Sequence, residues 1–125
     1  MLGDHDAIAT IAVKSVKVAR QFYEGTLGLK GSVSEMGPVV VYKSGNAKVQ
    51  VYESQYAGTN RATAASWVVG DDIERIVQAL KAKGVTFEHY DAPGMTRKGD
   101  LHVMGTFRAA WFKDPDGNIL ALSSR

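Results

Sequence analysis

The chain alternates between short stretches with the residue types of strands and two stretches with helical spacing of apolar side chains. Residues 8–13 are apolar and rich in β-branched side chains, which is typical of a strand. Ser15 then suits a helix N-cap, and apolar residues recur at i, i+3, i+7 and i+11 from Val16 to Leu27. The pattern predicts a strand and a helix, followed by strands at residues 31–36, 39–43 and 47–53 that turn-forming residues separate.

The second half of the chain repeats this order. A polar linker without periodicity, residues 54–61, precedes a predicted strand at residues 64–69. Apolar side chains at i, i+3, i+4 and i+7 from Ile73 to Leu80 predict an amphipathic helix, which Gly84 ends. Further strands are predicted at residues 85–89, 106–113 and 118–123, with a loop over residues 91–101 that contains Pro93, Gly94 and Gly99.

Two copies of one βαβββ unit, offset by about 57 residues, explain the whole pattern, because residues 13–16 align with residues 70–73. Half a chain of this length buries too little surface to be stable alone, so the halves must pack together. The sequence therefore predicts an α+β fold in a single domain, with tandem modules at residues 6–53 and 62–125. Their strands are expected to form a curved mixed-sheet cup, with one helix backing each module.

The residues of each predicted strand divide into a set that faces the helix and a set that faces the concave side. In the first strand, the apolar residues Ile11 and Val13 fit the helix side. In the last strand, Leu120 and Leu122 fit it. The intervening residues are therefore predicted to face the cup: Ile8, Thr10, Ala12, Ile119, Ala121 and Ser123.

Composition and charge exclude several classes of function. The 125 residues include no Cys, which removes disulfides, thiol nucleophiles and thiolate metal sites. The net charge is +2 and the charged residues are scattered, so no basic patch indicates nucleic-acid binding. No stretch reaches the ~20 apolar residues of a membrane span, and the acidic N-terminus is unlike a targeting signal. We expect a cytoplasmic protein without nucleic-acid or membrane partners.

Two motifs resemble those of one known superfamily. Residues 111–122 read Trp-Phe-Lys-Asp-Pro-Asp-Gly-Asn-Ile-Leu-Ala-Leu, which is similar to the C-terminal signature F-x-D-P-x-G-N-x-x-E-L of the vicinal oxygen chelate superfamily. Residues 19–29 are similar to its first-helix pattern F-Y-x-x-x-L-G-L. That superfamily contains glyoxalase I, extradiol dioxygenases and bleomycin-resistance proteins. The resemblance covers essentially the whole chain and implies a homodimer with ligand sites between the two copies.

The resemblance also allows a test for metal chemistry, since the superfamily's metal enzymes use His, Gln or Glu at four places on the cup face. The matching positions here are Ile8, Ala65 (or Ala64, if the register slips by one), Gln50 (or Tyr52), and Ala121. Alkyl side chains supply no ligand to a divalent ion. The three His residues, at positions 5, 89 and 102, have no metal-binding spacing. We therefore expect no metal and no cofactor, which disfavours glyoxalase I or extradiol dioxygenase activity.

Resemblance to the metal-free bleomycin-resistance branch implies that the cup binds a small, largely apolar or aromatic organic molecule, for sequestration or recognition. Large aromatic side chains with a few polar groups suit such a ligand. The two Trp side chains equally fit a core or a dimer interface. No catalytic residue is assigned. The candidate ligand-binding residues are Trp67, Trp111, Tyr52, Gln50, His102, Met104 and Thr10.

Two other interpretations stay open. In the first, the chain is a lyase, isomerase or dioxygenase of the same superfamily, either with metal ligands at other positions or without a metal. Without a metal, the general base is His102, beside the predicted loop, or Glu53, and Arg108 or Lys113 polarises a carbonyl. In the second, the chain is a structural or regulatory domain whose cup is filled by its own side chains. Residues 114–117, Asp-Pro-Asp-Gly, are interpreted as a type I turn rather than a catalytic site.

Overall fold

The first half of the chain forms a mixed sheet in the computed structural model, which describes residues 1–33 and 37–125. Its described strands are β1 (Ala9–Val13), β2 (Lys30–Val33), β3 (Val39–Ser44) and β4 (Ala47–Glu53). Strand β1 pairs in parallel with β4, and antiparallel pairs complete the order β1-β4-β3-β2. All four strands were predicted from the sequence. The predicted strand at residues 31–36 coincides with β2 as far as Val33, and residues 34–36 lie outside the described residues.

The second half repeats this topology with an additional hairpin. Its strands are β5 (Thr63–Val68), β6 (Phe87–Glu88), β7 (Thr96–Lys98), β8 (Leu101–Met104), β9 (Phe107–Lys113) and β10 (Ile119–Ser123). The first strand, β5, again pairs in parallel with the last, β10, and the order is β5-β10-β9-β8-β7, with β6 also pairing β9. The loop predicted over residues 91–101 was wrong, because the strands β7 and β8 pair there across Gly99. With a φ of +65°, Gly99 allows a turn tight enough for these two short strands to meet.

Two helices pack on one side of the sheets. Helix α1 (Val16–Arg20) continues as a π-helical segment (Gln21–Thr26), and the predicted N-cap is confirmed because the Ser15 hydroxyl accepts from the Val18 N–H at 3.3 Å. Helix α2 (Ile73–Ala82) ends as predicted at Gly84, whose φ is +92°. Bonds from Gly84 N–H to the Lys81 carbonyl and from Val85 N–H to the Leu80 carbonyl form a Schellman cap. Within the described residues, no helix has the length and apolar character needed to cross a membrane.

The buried apolar side chains of the described residues form one hydrophobic core between the helices and the sheets of both halves. It is built from side chains that are almost fully buried in both modules: Ile11, Val13, Tyr23, Val40, Tyr42, Ile73, Phe112 and Leu120. The predicted orientation of the first and last strands is confirmed, since Ile11, Val13, Leu120 and Leu122 belong to this core. The structure is thus the expected α+β fold of two modules that share one interior.

The turn that joins β9 to β10 also connects the two modules. The Gly117 N–H donates to the Asp114 carbonyl at 3.0 Å, which confirms the turn predicted at residues 114–117. The Asp114 carboxylate is buried, however, and accepts from the Tyr23 hydroxyl of the first module at 2.7 Å and from the Asn118 amide at 2.8 Å. The Asn118 amide also donates to the Ala12 carbonyl of β1 at 2.8 Å. These bonds fix the second sheet against the first.

Candidate functional site

The side of the two sheets that faces away from the helices, which we call the open face, holds most of the predicted site residues. Strands β1 and β5 contact each other, so the two sheets adjoin along this face. Large apolar side chains on it are exposed: Tyr52, Val68 and Met104. Val68 is 70% exposed and Met104 is 48% exposed, which is unusual for side chains of a sheet face. The open face is therefore the surface to examine for a ligand or partner.

On the first sheet, the structure brings together Thr10, Gln50 and Tyr52. Thr10 and Gln50 are partners in the parallel β1–β4 pair, and the Gln50 amide donates to the Thr10 hydroxyl at 2.9 Å. Tyr52 lies two residues beyond Gln50 in β4 and so shares its face. These three side chains form a polar patch with one aromatic ring.

On the second sheet, Trp111 is the centre of an aromatic cluster. The ring of His102 lies edge-on to that of Trp111, with 4.8 Å between the centroids, and Tyr90 lies edge-on at 5.5 Å. The Trp111 indole N–H donates to the Thr63 hydroxyl at 3.2 Å, which fixes the ring against β5. Tyr90 and Thr63 were not identified from the sequence as candidate site residues. Tyr90 is two residues beyond Glu88, the strand partner of Trp111, so its place on this face follows only once that pairing is known.

His102 is buried rather than exposed at a loop, with only 1% of its surface accessible. It lies in β8, and its Nε2 accepts from the Tyr90 N–H at 2.8 Å. The neutral ring therefore has its proton on Nδ1, which has no hydrogen-bond partner among the described residues. Burial is the largest cause that lowers the pKa of His102, and the positive charge of Arg97 acts in the same direction, while hydrogen bonding to the Ala109 backbone opposes them. With Nε2 already bonded, the side chain is poorly placed to act as a general base.

Trp67 lies on the opposite side of the sheet from the other candidates, which corrects its expected position in the cup. Its strand partner is Leu122 of the core, and its indole N–H donates to the Ser44 hydroxyl at 2.9 Å. Ala65 and Trp67 are opposite Leu120 and Leu122, which face the core, whereas Thr63 is opposite Ile119, so Ala64 is an extra residue in β5 between them. One extra residue reverses the side to which every later residue of the strand points.

A charged cluster borders the aromatic one. Arg97 donates to His89 Nδ1 at 2.6 Å, and because guanidinium only donates, the His89 proton resides on Nε2 and is directed to Asp100 at 2.8 Å. Lys81 pairs with the same Asp100 at 2.7 Å. Hydrogen bonds from Lys81 and His89 lower the pKa of Asp100. These bonds tie the β7–β8 hairpin to α2 and place the Arg97 charge beside the aromatic side chains.

The other residues considered for catalysis have their own partners. Glu53 accepts from the Val16 N–H at 3.0 Å and so caps α1. Arg108 pairs with Asp71 at 3.2 Å, and Lys113 pairs with Glu88 at 3.3 Å. These contacts do not assemble a base and an electrophile around a common point.

The positions that correspond to the superfamily's metal ligands do not fit a divalent ion. Ala121 lies between its strand partners Trp111 and Ser66, and Ile8 precedes β1. Ala65 faces the core, and Ala64 is the extra residue at the bulge, so neither supplies an oxygen or nitrogen atom. Gln50, or Tyr52 in its place, leaves one potential ligand in the set, and the Gln50 amide nitrogen is bonded to Thr10. Within the described residues, no three His, Cys, Asp or Glu side chains form a group that could hold a metal.

Solved structures with the same fold confirm the architecture. An integron cassette protein, HFX_CASS4, from the mobile metagenome of Halifax Harbour sewage outfall is 20% identical, with a TM-score of 0.70 over 94% of this chain and 96% of that one. A mutant of the fosfomycin resistance protein FosX from Listeria monocytogenes, complexed with Mn(II) and 1S,2S-dihydroxypropylphosphonic acid, is 16% identical, with a TM-score of 0.70 over 99% and 91%. A putative glyoxalase family protein from Bacillus anthracis is 18% identical, with a TM-score of 0.66 over 95% and 93%.

Sequence comparison places the chain at the level of the superfamily. No curated protein matches it. The sequence profile of the glyoxalase/bleomycin resistance protein/dioxygenase superfamily matches residues 6–122, which include both modules and both motifs. The chain therefore belongs to the glyoxalase/bleomycin resistance protein/dioxygenase superfamily.

Proposed function

We propose that the chain binds a small, largely apolar or aromatic organic molecule on the open face, without a metal and without bond chemistry. The observation that carries this proposal is the aromatic cluster of Trp111, Tyr90 and His102. Edge-on contacts and the bond to Thr63 hold the Trp111 ring in place before any ligand arrives. A fixed aromatic surface with a few polar neighbours suits a flat organic molecule, because little side-chain entropy is lost on binding.

The proposal that no metal takes part rests on the residues at the positions where the superfamily's metal enzymes have metal-coordinating side chains. FosX from Listeria monocytogenes is described with Mn(II), whereas the corresponding superfamily positions in this chain include Ile8 and Ala121. An alkyl group offers nothing to replace the hydration shell of a divalent ion. Sequestration or recognition of the ligand is therefore favoured over the metal-assisted reactions of the superfamily.

A second copy of the chain is proposed to complete the site. A sheet face that is open to solvent does not enclose a small molecule, and ligand sites usually bury most of the ligand. The exposed apolar side chains Val68, Met104 and Tyr52 favour contact with another apolar surface. A homodimer that covers the open faces satisfies both requirements.

The test is titration of the full chain with 8-anilinonaphthalene-1-sulfonate, a fluorescent aromatic anion, in the presence and absence of EDTA. Trp111→Ala is expected to weaken binding about tenfold, equivalent to ~1.4 kcal/mol, because it removes the aromatic surface. EDTA is expected to change nothing. The control is Tyr56→Ala, which removes an exposed aromatic ring from the linker and should leave the affinity unaltered. Equal affinities of the Trp111→Ala variant and the unmodified chain, or binding that EDTA abolishes, would contradict the proposal.

A further inference from the structure

We propose a second binding site on the helix side of the molecule, for a small uncharged aromatic compound. A cavity of about 310 Å³, which we call the helix-side cavity, lies where α2, the second sheet and the end of the π-helical segment meet. It is separated from the open face by the second sheet itself. The site therefore differs from the one proposed above, and either can exist without the other.

The lining of the helix-side cavity has a buried floor and an accessible rim. Leu80, Phe112 and Leu122 form the floor and are buried in the core. Trp67, Leu27 and Leu29 line the rim and are only half-buried, although they pack against that core. The rim combines residues of both modules, so the cavity opens to solvent at their junction.

The size and lining of the cavity indicate what it accepts. Well-packed interiors contain few voids larger than a water molecule, and an apolar cavity of roughly 150 Å³ is enough to bind benzene. The lining within the described residues is apolar apart from Ser44 and the Trp67 N–H and has no charged side chain. A charged ligand would lose its hydration without gaining a partner, so the cavity selects against ions.

One polar pair adds a directional requirement. The Trp67 indole N–H is used in its bond to the Ser44 hydroxyl, whose oxygen is the acceptor at 2.9 Å. A serine hydroxyl that accepts keeps its own hydrogen for donation. A ligand with an aromatic ring for the Trp67 side and one acceptor oxygen for Ser44 matches both features. Acetophenone, a ring with a single carbonyl, is a suitable probe.

The test uses the two indole N–H signals of the ¹⁵N-labelled full chain, which has two Trp residues. Trp67→Phe assigns the signals. Acetophenone is expected to shift the Trp67 signal and saturate it, with half-saturation on the order of 1 mM for so small a ligand. Benzoate, similar in size but charged, is expected to leave that signal unmoved. A shift that benzoate also produces, or one that never saturates, would overturn the proposal.

Variants of one helix supply matched controls. Ile76 lines the cavity, whereas Ala79 is exposed on the same helix. Ile76→Trp is expected to fill the cavity and abolish the saturable shift, and Ala79→Trp is expected to preserve it. If Ile76→Trp does not fold, Ser44→Ala provides a second test. This variant should weaken the binding of acetophenone several-fold and leave the binding of toluene, which has no acceptor oxygen, unaffected. Binding that neither variant changes would contradict the proposed site. So would a Trp67 signal that depends only on protein concentration, because this would show that a second copy of the chain covers the rim.

Discussion

Asp114 shows how much a single residue of a turn motif can contribute beyond the turn. Asp114 is 4% exposed, and its carboxylate accepts from Tyr23, Asn118 and the backbone N–H of Asp116. Burial and the neighbouring Asp114 carboxylate raise the pKa of Tyr23, so the phenol remains the donor. The sequence identified the turn because its residue types follow local rules. The tie to Tyr23, 91 positions away, depends on tertiary packing and has no local signature.

Removing the hydroxyl of Tyr23 tests this tie between the modules. Tyr23→Phe is expected to lower the free energy of unfolding by about 1.5–3 kcal/mol, because a buried hydrogen bond to a charged group is lost. Urea denaturation measures the difference. Tyr56→Phe removes the same hydroxyl from an exposed side chain and should change stability by less than ~0.5 kcal/mol. Equal losses in the two variants would show that the bond contributes nothing.

The buried imidazole of His102 predicts a pH dependence of stability. Burial lowers its pKa in the folded chain, so the unfolded chain binds more protons at and below the ordinary value of 6.5. The free energy of unfolding should therefore fall as the pH drops through 6.5, and this contribution should be fully present above it. Urea denaturation of the unmodified chain and of His102→Gln between pH 5 and 8 measures the effect. A pH profile that is unchanged in His102→Gln would contradict the assignment.

At the scale of elements, periodicity predicted the strands and helices better than it predicted which way each residue points. The helix ends at Ser15 and Gly84 and the extent of β4 follow the sequence closely, since capping and turn residues are local signals. Trp67 was expected in the cup because it is a large aromatic side chain, whereas its pairing with Leu122 puts it on the helix side. Strand register of this kind is set by tertiary pairing and has no local signature in the sequence. The β7–β8 hairpin was not predicted because its strands are short and lie among glycine and polar residues.

A charge introduced at an exposed valine is expected to affect the oligomeric state differently on the two sides of the sheets. Val68 on the open face is 70% exposed and Val18 on α1 is 49% exposed. If a second copy covers the open face, Val68→Glu should disrupt the dimer, whereas Val18→Glu should not. Light scattering after gel filtration should give twice the 13.5 kDa of one chain for the unmodified protein and for Val18→Glu, and the single-chain mass for Val68→Glu. A monomeric unmodified protein, or a dimer that Val68→Glu leaves intact, would exclude this interface.

At the scale of the whole molecule, the fold separates two surfaces of different character. The helix sides of both modules share one core, and the open faces are left to solvent with the cluster around Trp111 on one of them. The repeated pattern and the two motifs were enough to predict this architecture. Placement of site residues needed the structure, because strand register determines which of Thr10, Gln50, His102 and Trp111 share a face. Those four, with Tyr52 and Met104, are the predicted residues that lie on the open face.

The most direct test of open-face binding follows both indole N–H signals of the ¹⁵N-labelled full chain during titration with 8-anilinonaphthalene-1-sulfonate. Since Trp111 lies on the open face and Trp67 on the helix side, the two signals report the two sides separately. The expected result is a saturable shift of the Trp111 signal at one probe molecule per chain, with the Trp67 signal unmoved. A saturable shift of the Trp67 signal alone, with Trp111 unchanged, would contradict ligand binding on the open face.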